Sequence, residues 1–398
     1  MPTFSYVAKA GNGQRVSGSL EVVSQRVVLE ALHKQGLTIV SVKEARSRLR
    51  RQGRIRMDDV AIFSRQMATL VDAGIPIVGG LDAVADQLEN KALREAVYKL
   101  RDAVEEGTNF TAAIAKQGEI FSPLFVSMVK AGEASGHLAE VLDRLATYME
   151  KAAGLQRKVR SACVYPIIVI TMAVAITSVL MLKVIPAFKD IFTTLGADLP
   201  FVTKVLIWVS DTLRYTFLPG LGLGVSGFFG FKKWLKTPEG RLRFDRFLLR
   251  IGIAGPIVRK IAIAKFARTL ATLVSSGVQI IGALEIVADS AGNRVVADAI
   301  LRVRNSIREG ENIAAPLAAS GVFPPMVVRM IAVGEQTGRL DDMLTKVADF
   351  YEEQVDAAVS GLTSALEPVI IAVLGVVVGS IVLAIFLPIF KLTQIIGR

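Results

Sequence analysis

The chain has 398 residues, of which 52% are hydrophobic and 21% charged, and its formal net charge is +11. Charged side chains are absent from three windows, residues 161–182, 215–231 and 368–390. Because about 20 apolar residues cross a bilayer, these windows exclude a purely cytosolic enzyme. The one cysteine, Cys163, excludes a disulfide framework within one chain.

Residues 1–45 predict a small cytoplasmic domain that mixes strands and a helix. Alternating apolar residues at 4–8, the turn residues Gly11-Asn12-Gly13 and a second run at 15–21 are typical of a β-hairpin. A helix over 25–35 and a third strand over 38–42 complete this α+β domain. No apolar signal-peptide core precedes it, so we expect the amino terminus to stay in the cytoplasm.

Residues 46–56 predict a basic linker, since this stretch holds six arginines and no acid. A solvated segment near the anionic inner leaflet explains such a composition. The alternative is a membrane-tethered nucleic-acid binder. No aromatic side chain is interleaved to stack on bases, so no nucleic-acid partner is expected.

A direct repeat organises the rest of the chain. Residues 57–160 predict a cytoplasmic helical domain, because apolar residues recur three and four positions apart. Residues 63–86 match 266–289 with 13 identities in 24 positions, and 121–138 then match 323–340. Residues 232–367 are therefore expected to contain a second copy of the same cytoplasmic bundle. The predicted fold is an all-α membrane protein with two duplicated bundles, three transmembrane helices and the small α+β domain.

The most specific motif occurs once in each copy as Gly-Glu-x-[Ser/Thr]-Gly-x-Leu. Two glycines around a hydroxyl predict a tight turn between helices, in which the hydroxyl caps a helix and the glutamate bonds free N–H groups. Contact with a partner or a metal is the alternative role of the glutamates. The motif residues are Gly132, Glu133, Ser135, Gly136 and Leu138, and then Gly334, Glu335, Thr337, Gly338 and Leu340.

The apolar windows predict transmembrane helices over 161–182, 215–231 and 368–390. Eleven basic residues flank the first two windows, against four within 183–214, which favours a periplasmic loop at 183–214. The repeat extends through the first and third windows, so both helices should run outward and the marginal second window should return the chain. Residues 391–398 then form a periplasmic tail. The prolines near the window ends, Pro166, Pro186, Pro368 and Pro388, are expected to kink or end the spans.

Catalytic, cofactor and metal motifs give no support for an enzyme. The chain has no GxxxxGK[ST] loop, no HExxH and no paired cysteines. Gly222, Gly224 and Gly227 match a dinucleotide fingerprint, but they follow Pro219 in an apolar stretch without a preceding strand, so close helix packing explains them. A transporter or channel component is the remaining alternative, disfavoured because the windows hold no ionisable residue.

The duplicated unit, the doubled turn motif and the stretch 158–186, with Lys158, Tyr165-Pro166 and Val184-Ile185-Pro186, resemble the PilC/GspF family. These are polytopic inner-membrane platform proteins of type IV pilus and type II secretion machines. The resemblance covers nearly the whole chain.

The resemblance implies a non-enzymatic scaffold of the bacterial inner membrane, without a cofactor. Its expected partners are a cytoplasmic hexameric assembly ATPase, pilin or pseudopilin subunits, and other inner-membrane assembly proteins. The glycine pair Gly375 and Gly379 is also consistent with a homo-oligomer. Pilus, secretion and DNA-uptake systems are not separated by the sequence.

Overall fold

The computed structural model describes residues 3–9, 15–21, 27, 29, 38–44, 55–187, 201–252 and 254–396. Its amino-terminal part is an antiparallel sheet of order β2-β1-β3, which confirms the predicted strands. The helix expected over 25–35 lies outside the described residues, apart from helical positions 27 and 29. Most of the basic linker also lies outside them. The strands are β1 Thr3–Lys9, β2 Arg15–Glu21 and β3 Thr38–Glu44.

The first copy of the repeat is a bundle of five helices that leads into a sixth, much longer helix. Its core includes Phe63, Phe121 and Phe125, whose ring centroids are 4.7 to 6.5 Å apart. Burying each ring stabilises the bundle by about 1.5–3 kcal/mol. The helices are α1 Met57–Asp72, α2 Ile77–Gln87, α3 Lys91–Glu105, α4 Phe110–Ala115, α5 Pro123–Ser135 and α6 Leu138–Val179.

The second copy reproduces this order after one long apolar helix, α7 Phe201–Trp234, and one additional helix, α8 Pro238–Arg250. The confirmed repeat keeps even its helix caps, because the side chains of Asn90 and Asn293 each accept hydrogen bonds from the backbone N–H groups two and three positions later. The remaining helices are α9 Ala254–Ser275, α10 Ile280–Ser290, α11 Arg294–Arg308, α12 Ala314–Ala319, α13 Pro325–Thr337 and α14 Leu340–Ile396.

Each bundle continues into its apolar segment without a break. Helix α6 extends through the π-helical turn Leu180–Val184, and α14 has 57 residues. The boundaries predicted at residues 160 and 367, between each cytoplasmic domain and its transmembrane helix, therefore lie inside helices. Residues 391–396, predicted as part of a separate tail, continue α14. Pro166, Pro368 and Pro388 also lie within helices, so they do not end these helices, and a kink at each of them stays a prediction.

Two described helices, α6 and α14, are long and apolar enough to cross a membrane. Helix α7 contains the second predicted window but does not meet that criterion, so the structure does not confirm a third span. Part of the loop expected at 183–214, residues 188–200, lies outside the described residues.

The two bundles pack on each other through α6, α9 and α14, and their buried residues form one continuous core. Polar contacts also cross the junction. The Tyr148 hydroxyl lies 3.1 Å from Thr269 Oγ1, Arg144 donates to the Ser275 carbonyl at 2.7 Å, and Lys151 pairs with Asp349 at 3.0 Å. The duplicated units therefore form a single helical body at the head of the two apolar helices.

Candidate functional site

The two copies of the glycine–glutamate motif lie at the heads of the long helices. Residues 132–138 end α5 and begin α6, and residues 334–340 end α13 and begin α14. The predicted tight turn between two helices is present in both copies. Any movement of these turns relative to the bundle would therefore act directly on a helix that runs into an apolar segment.

The two glycines of each motif serve different needs. Gly136 and Gly338 have φ values of 74° and 70°, a left-handed conformation that costs a side chain about 1 kcal/mol or more. Gly132 instead allows close approach, since an added Cβ would lie 2.9 Å from the Cβ of Val141. Gly334 is equally confined, at 3.0 Å from the Cα of Leu340. The first glycine lets the helices pack, and the second turns the chain.

The glutamates bind the start of a neighbouring short helix and not their own turn. Glu133 accepts the N–H of Phe110 at 2.9 Å, the N–H of Thr111 at 3.1 Å and the Thr111 hydroxyl at 2.5 Å. Glu335 accepts the N–H of Ile313 at 2.7 Å and of Ala314 at 3.5 Å. Each carboxylate therefore caps a helix about 22 positions earlier in the chain, which fixes α5 to α4 and α13 to α12.

The hydroxyls of the motif do not cap the following helix, contrary to the prediction. Ser135 Oγ donates to the Gly132 carbonyl at 3.4 Å, and Thr337 Oγ1 donates to the Val333 carbonyl at 2.8 Å. This happens because a hydroxyl in the last turn of a helix is closest to the carbonyls of the preceding turn. Leu138 and Leu340 are half-buried against the core.

A pair of equivalent arginines, which the sequence pattern did not single out, ties the first helix of each bundle to its long helix. Arg65 pairs with Glu150 at 2.7 Å and Asp143 at 2.5 Å. Arg268 pairs with Glu352 at 2.8 Å and also contacts Asp349. The available signal was the repeat itself, which aligns Arg65 with Arg268 and Glu150 with Glu352.

These ion pairs stabilise the charged form of the carboxylates. The hydrogen bond from Arg65 lowers the pKa of Glu150 below its ordinary value. Burial alone would raise the pKa of Asp349, but hydrogen bonds from Arg268 and Lys151 outweigh it and the pKa is lowered. The shared carboxylate of Asp349 thus connects the second bundle to Lys151 of the first.

The signature residues of the apolar segments lie far from the turns. Lys158 is 20 residues beyond Leu138 along α6, a distance of about 30 Å at 1.5 Å per residue, and its amine contacts Asp356 of α14. Tyr165 is exposed, Pro166 is buried and Pro186 is half-buried. Pro368 and Pro388 lie on α14. The structure therefore separates these residues from the turn motif, while Lys158 joins the two long helices.

Neither a metal nor a catalytic role is supported for the motif glutamates. Both oxygens of Glu133 and of Glu335 accept backbone N–H groups. The nearby Glu140 pairs with Arg144. Among the residues that the structure describes, no group of three or more His, Cys, Asp and Glu could hold a metal ion. The role of the two motif glutamates is structural, because each of them joins one helix to another.

Comparison with known proteins agrees with this architecture. The family model described as "Type II secretion system (T2SS), protein F" matches residues 63–186 and again 266–388, and the model of its N-terminal domain matches residues 1–43. The two matches to the main model coincide with the two bundles and the apolar helix that follows each.

Among curated proteins, the chain is 44% identical to the type IV pilus assembly protein PilC of Thermus thermophilus, over 98% of both chains. It is 41% identical to PilC of Myxococcus xanthus, over 99% of this chain and 95% of the relative. It is also 35% identical to type II secretion system protein F of Pseudomonas aeruginosa, over 100% of both chains. The chain therefore belongs to the type II secretion system protein F family, which includes PilC.

Proposed function

We propose that the chain is a non-enzymatic platform protein of the bacterial inner membrane, in a type II secretion or type IV pilus machine. It couples a cytoplasmic hexameric assembly ATPase to the extraction and polymerisation of pilin or pseudopilin subunits. The observation that carries this proposal is the pair of helical bundles whose last helices run unbroken into apolar segments. Close-packed protein interiors have low compressibility, so a displacement of the bundle is transmitted to the long helix that continues from it. The names of the relatives support the same machine.

We further propose that α7 is a third crossing, so that both bundles face the cytoplasm. Leu206 and Ile207, near the start of α7, pack with Met181 and with Ile381 of α14, far along the two long helices. The other end of α7 is followed by α8, whose Asp245 accepts the N–H of Arg294 in the second bundle at 2.7 Å. A helix of 34 residues is about 51 Å long, more than the bilayer core.

Cysteine labelling tests this topology. In a Cys163→Ser background, Thr194→Cys tests the predicted periplasmic loop and Arg302→Cys tests the exposed surface of α11. A membrane-impermeant maleimide should label position 194 in spheroplasts and position 302 only after lysis. Labelling of position 302 in sealed spheroplasts would contradict the cytoplasmic placement of the second bundle and the crossing by α7.

Co-isolation tests the proposed partners. A tagged, detergent-solubilised protein should retain the assembly ATPase and pilin-like subunits of its own cell. Leu93 and Val296 are equivalent, fully buried positions in the two bundles. Leu93→Asp and Val296→Asp place a charge in one bundle at a time while leaving the apolar helices unchanged. We expect each to reduce the retained ATPase more than the retained pilins. Full ATPase retention by both variants would contradict docking on the bundles.

Self-association is part of the proposal, because α14 presents a small-residue face. Gly375 and Gly379 are four positions apart, and a Cβ at either would meet nothing within 4 Å. Such a face allows another helix to approach closely. Gly375→Leu with Gly379→Leu should shift the detergent-solubilised protein toward the monomer in native gels, whereas an unchanged oligomer would place the interface elsewhere.

A further inference from the structure

Helix α8 is held in a fixed position at the end of α7. Phe231 of α7 packs edge-on against Phe244 of α8, with ring centroids 5.7 Å apart. Gly240 lies so close to α7 that an added Cβ would be 2.2 Å from the carbonyl oxygen of Trp234. On its other side, buried Asp245 binds the start of α11. Helix α8 therefore connects the apolar helix rigidly to the second bundle.

The outer face of α8 is strongly basic. Arg241, Arg243, Arg246 and Arg250 are exposed, together with Phe247 at 62% exposure. The two acidic residues of α8 neutralise little of this positive charge. Asp245 is buried away from the outer face. Glu239 and Arg243 are both exposed to solvent and lie 3.8 Å apart. A basic helix with an exposed aromatic residue, directly after an apolar helix, matches an anionic membrane surface in charge and polarity.

A pocket of about 410 Å³ lies between α8 and the start of α11. Lys236, Arg241 and Arg294 supply its cations, and Asp289 supplies a single carboxylate. Arg294 pairs with Asp298 at 3.0 Å. Lys236, Arg241 and Asp289 form no side-chain hydrogen bond or ion pair with any residue that the structure describes. The backbone N–H groups of Arg294, Val295 and Val296 are already bound by Asp245 and Asn293.

The carboxylate equivalent to Asp289 has an internal hydrogen-bond partner in the first bundle. There Asp86, the counterpart of Asp289, accepts a hydrogen bond from the Tyr98 hydroxyl at 2.6 Å. The counterpart of Tyr98 is Leu301, which lines the pocket and has no hydroxyl to donate. In the second bundle this carboxylate therefore has no internal partner, and two unpaired cations line the same pocket, so both charges are available to a ligand.

We propose that this pocket binds the head group of an aminophospholipid, with its phosphate on Lys236 and Arg241 and its ammonium on Asp289. Such a head group carries both charges that the pocket complements, and the basic face of α8 and the end of α7 place the pocket at the inner membrane surface. A head group with phosphate alone leaves Asp289 unpaired. A quaternary ammonium offers that carboxylate no hydrogen bond. The position at the membrane rests on the proposed crossing by α7, while the chemistry of the pocket does not.

The test compares short-chain phosphatidylethanolamine, phosphatidylglycerol and phosphatidylcholine bound to the full-length protein in detergent, by native mass spectrometry. We expect phosphatidylethanolamine to be retained best. Lys236→Gln with Arg241→Gln should weaken its binding by about 30-fold, because each basic side chain near an anionic group contributes about 1 kcal/mol, a factor of about five. Asp289→Asn should weaken phosphatidylethanolamine by about tenfold or more without weakening phosphatidylglycerol.

Two controls separate binding from folding and from charge. Arg302→Gln with Arg308→Gln removes the same charge from exposed positions of α11 outside the pocket and should leave retention unchanged. Lys236→Arg with Arg241→Lys keeps both cations and should keep binding. Equal retention of phosphatidylethanolamine and phosphatidylcholine, or retention that survives Lys236→Gln with Arg241→Gln, would overturn the proposal. Lipid binding in detergent does not depend on how the protein is oriented in the membrane. A negative lipid-binding result therefore does not change what the labelling of Thr194→Cys and Arg302→Cys shows about topology. A negative labelling result likewise does not change what lipid binding shows about the pocket.

Discussion

The carboxylate of Glu133 accepts the backbone N–H groups of Phe110 and Thr111 at 2.9 and 3.1 Å, and so joins the last turn of α5 to the first turn of α4. Glu335 repeats this contact in the second bundle with Ile313 and Ala314. The same cross-helix cap therefore occurs at the head of each long helix. The motif is a joint within the bundle, and its effects should be local to the short helices that it caps.

Replacing either glutamate should loosen the short helix that it caps. Loss of a cap costs about 0.5–2 kcal/mol, so Glu133→Ala should speed hydrogen exchange in α4 by between about 2- and 30-fold. Glu335→Ala should have the smaller effect of the two, because Glu335 makes two hydrogen bonds and Glu133 makes three. Exchange mass spectrometry of the solubilised protein measures both. Glu105→Ala, at an exposed position of α3, is the control and should leave α4 unchanged.

The two glycines of a motif should respond differently to alanine. Gly132→Ala should destabilise the first bundle by about 1–3 kcal/mol, because its Cβ would overlap Val141. Gly136→Ala should cost about 1 kcal/mol through backbone strain alone. Gly154→Ala, in an open part of α6, should be neutral or stabilising. Thermal unfolding ranks the three variants by stability. Equal losses of stability in Gly132→Ala and Gly154→Ala would be inconsistent with close packing at Gly132.

The ion pair between Arg65 and Glu150 should make the first bundle sensitive to acid. The pKa of Glu150 is lowered from its ordinary 4.5, so the stabilising contribution is complete above pH 4.5 and is lost as the pH falls through the lower folded value. The contribution is small, because both side chains are partly exposed. Glu150→Gln should flatten the fall in melting temperature below pH 4.5. An identical pH profile in the variant would show that this pair does not carry the effect.

The contacts between the bundles should be detectable by zero-length amine–carboxyl crosslinking in native membranes. The Lys151 amine lies 3.0 Å from a carboxylate oxygen of Asp349, and Lys158 contacts Asp356. We expect mass spectrometry to find both crosslinks. Lys158→Gln should remove the second crosslink and leave the first. Absence of both from an otherwise crosslinked sample would mean that the bundles are apart in the membrane.

Much of the fold could be predicted from the sequence, because the repeat and the helical periodicity are local signals. The doubled motif located both turns, and the uncharged windows located α6 and α14. The cap made by Glu133 was not predictable, since its partners in α4 are 22 and 23 positions away and meet it only through packing. The ion pairs of Arg65 and Arg268 depend on the same packing.

The additional helix α8 was missed for a similar reason. In the first bundle, Asn90 Nδ2 donates to Asp59 of α1 at 2.7 Å. The counterpart of Asp59 is Ala262, and in the second bundle Asn293 Nδ2 donates instead to the backbone carbonyl of Asp245 in α8 at 3.3 Å. The carboxylate of Asp245 accepts the N–H of Arg294 at 2.7 Å. A comparison of the two copies shows the lost acid, but only the fold shows which residue replaces it.

We propose above all that the chain is a platform without which the machine cannot polymerise its subunits. Counting surface filaments, or measuring secreted substrate, in a strain that lacks only this protein tests the claim most directly. We predict that assembly is lost while the ATPase and the pilin-like subunits are still produced, and that the wild-type chain restores it. Normal filament assembly or secretion without the protein would contradict this role.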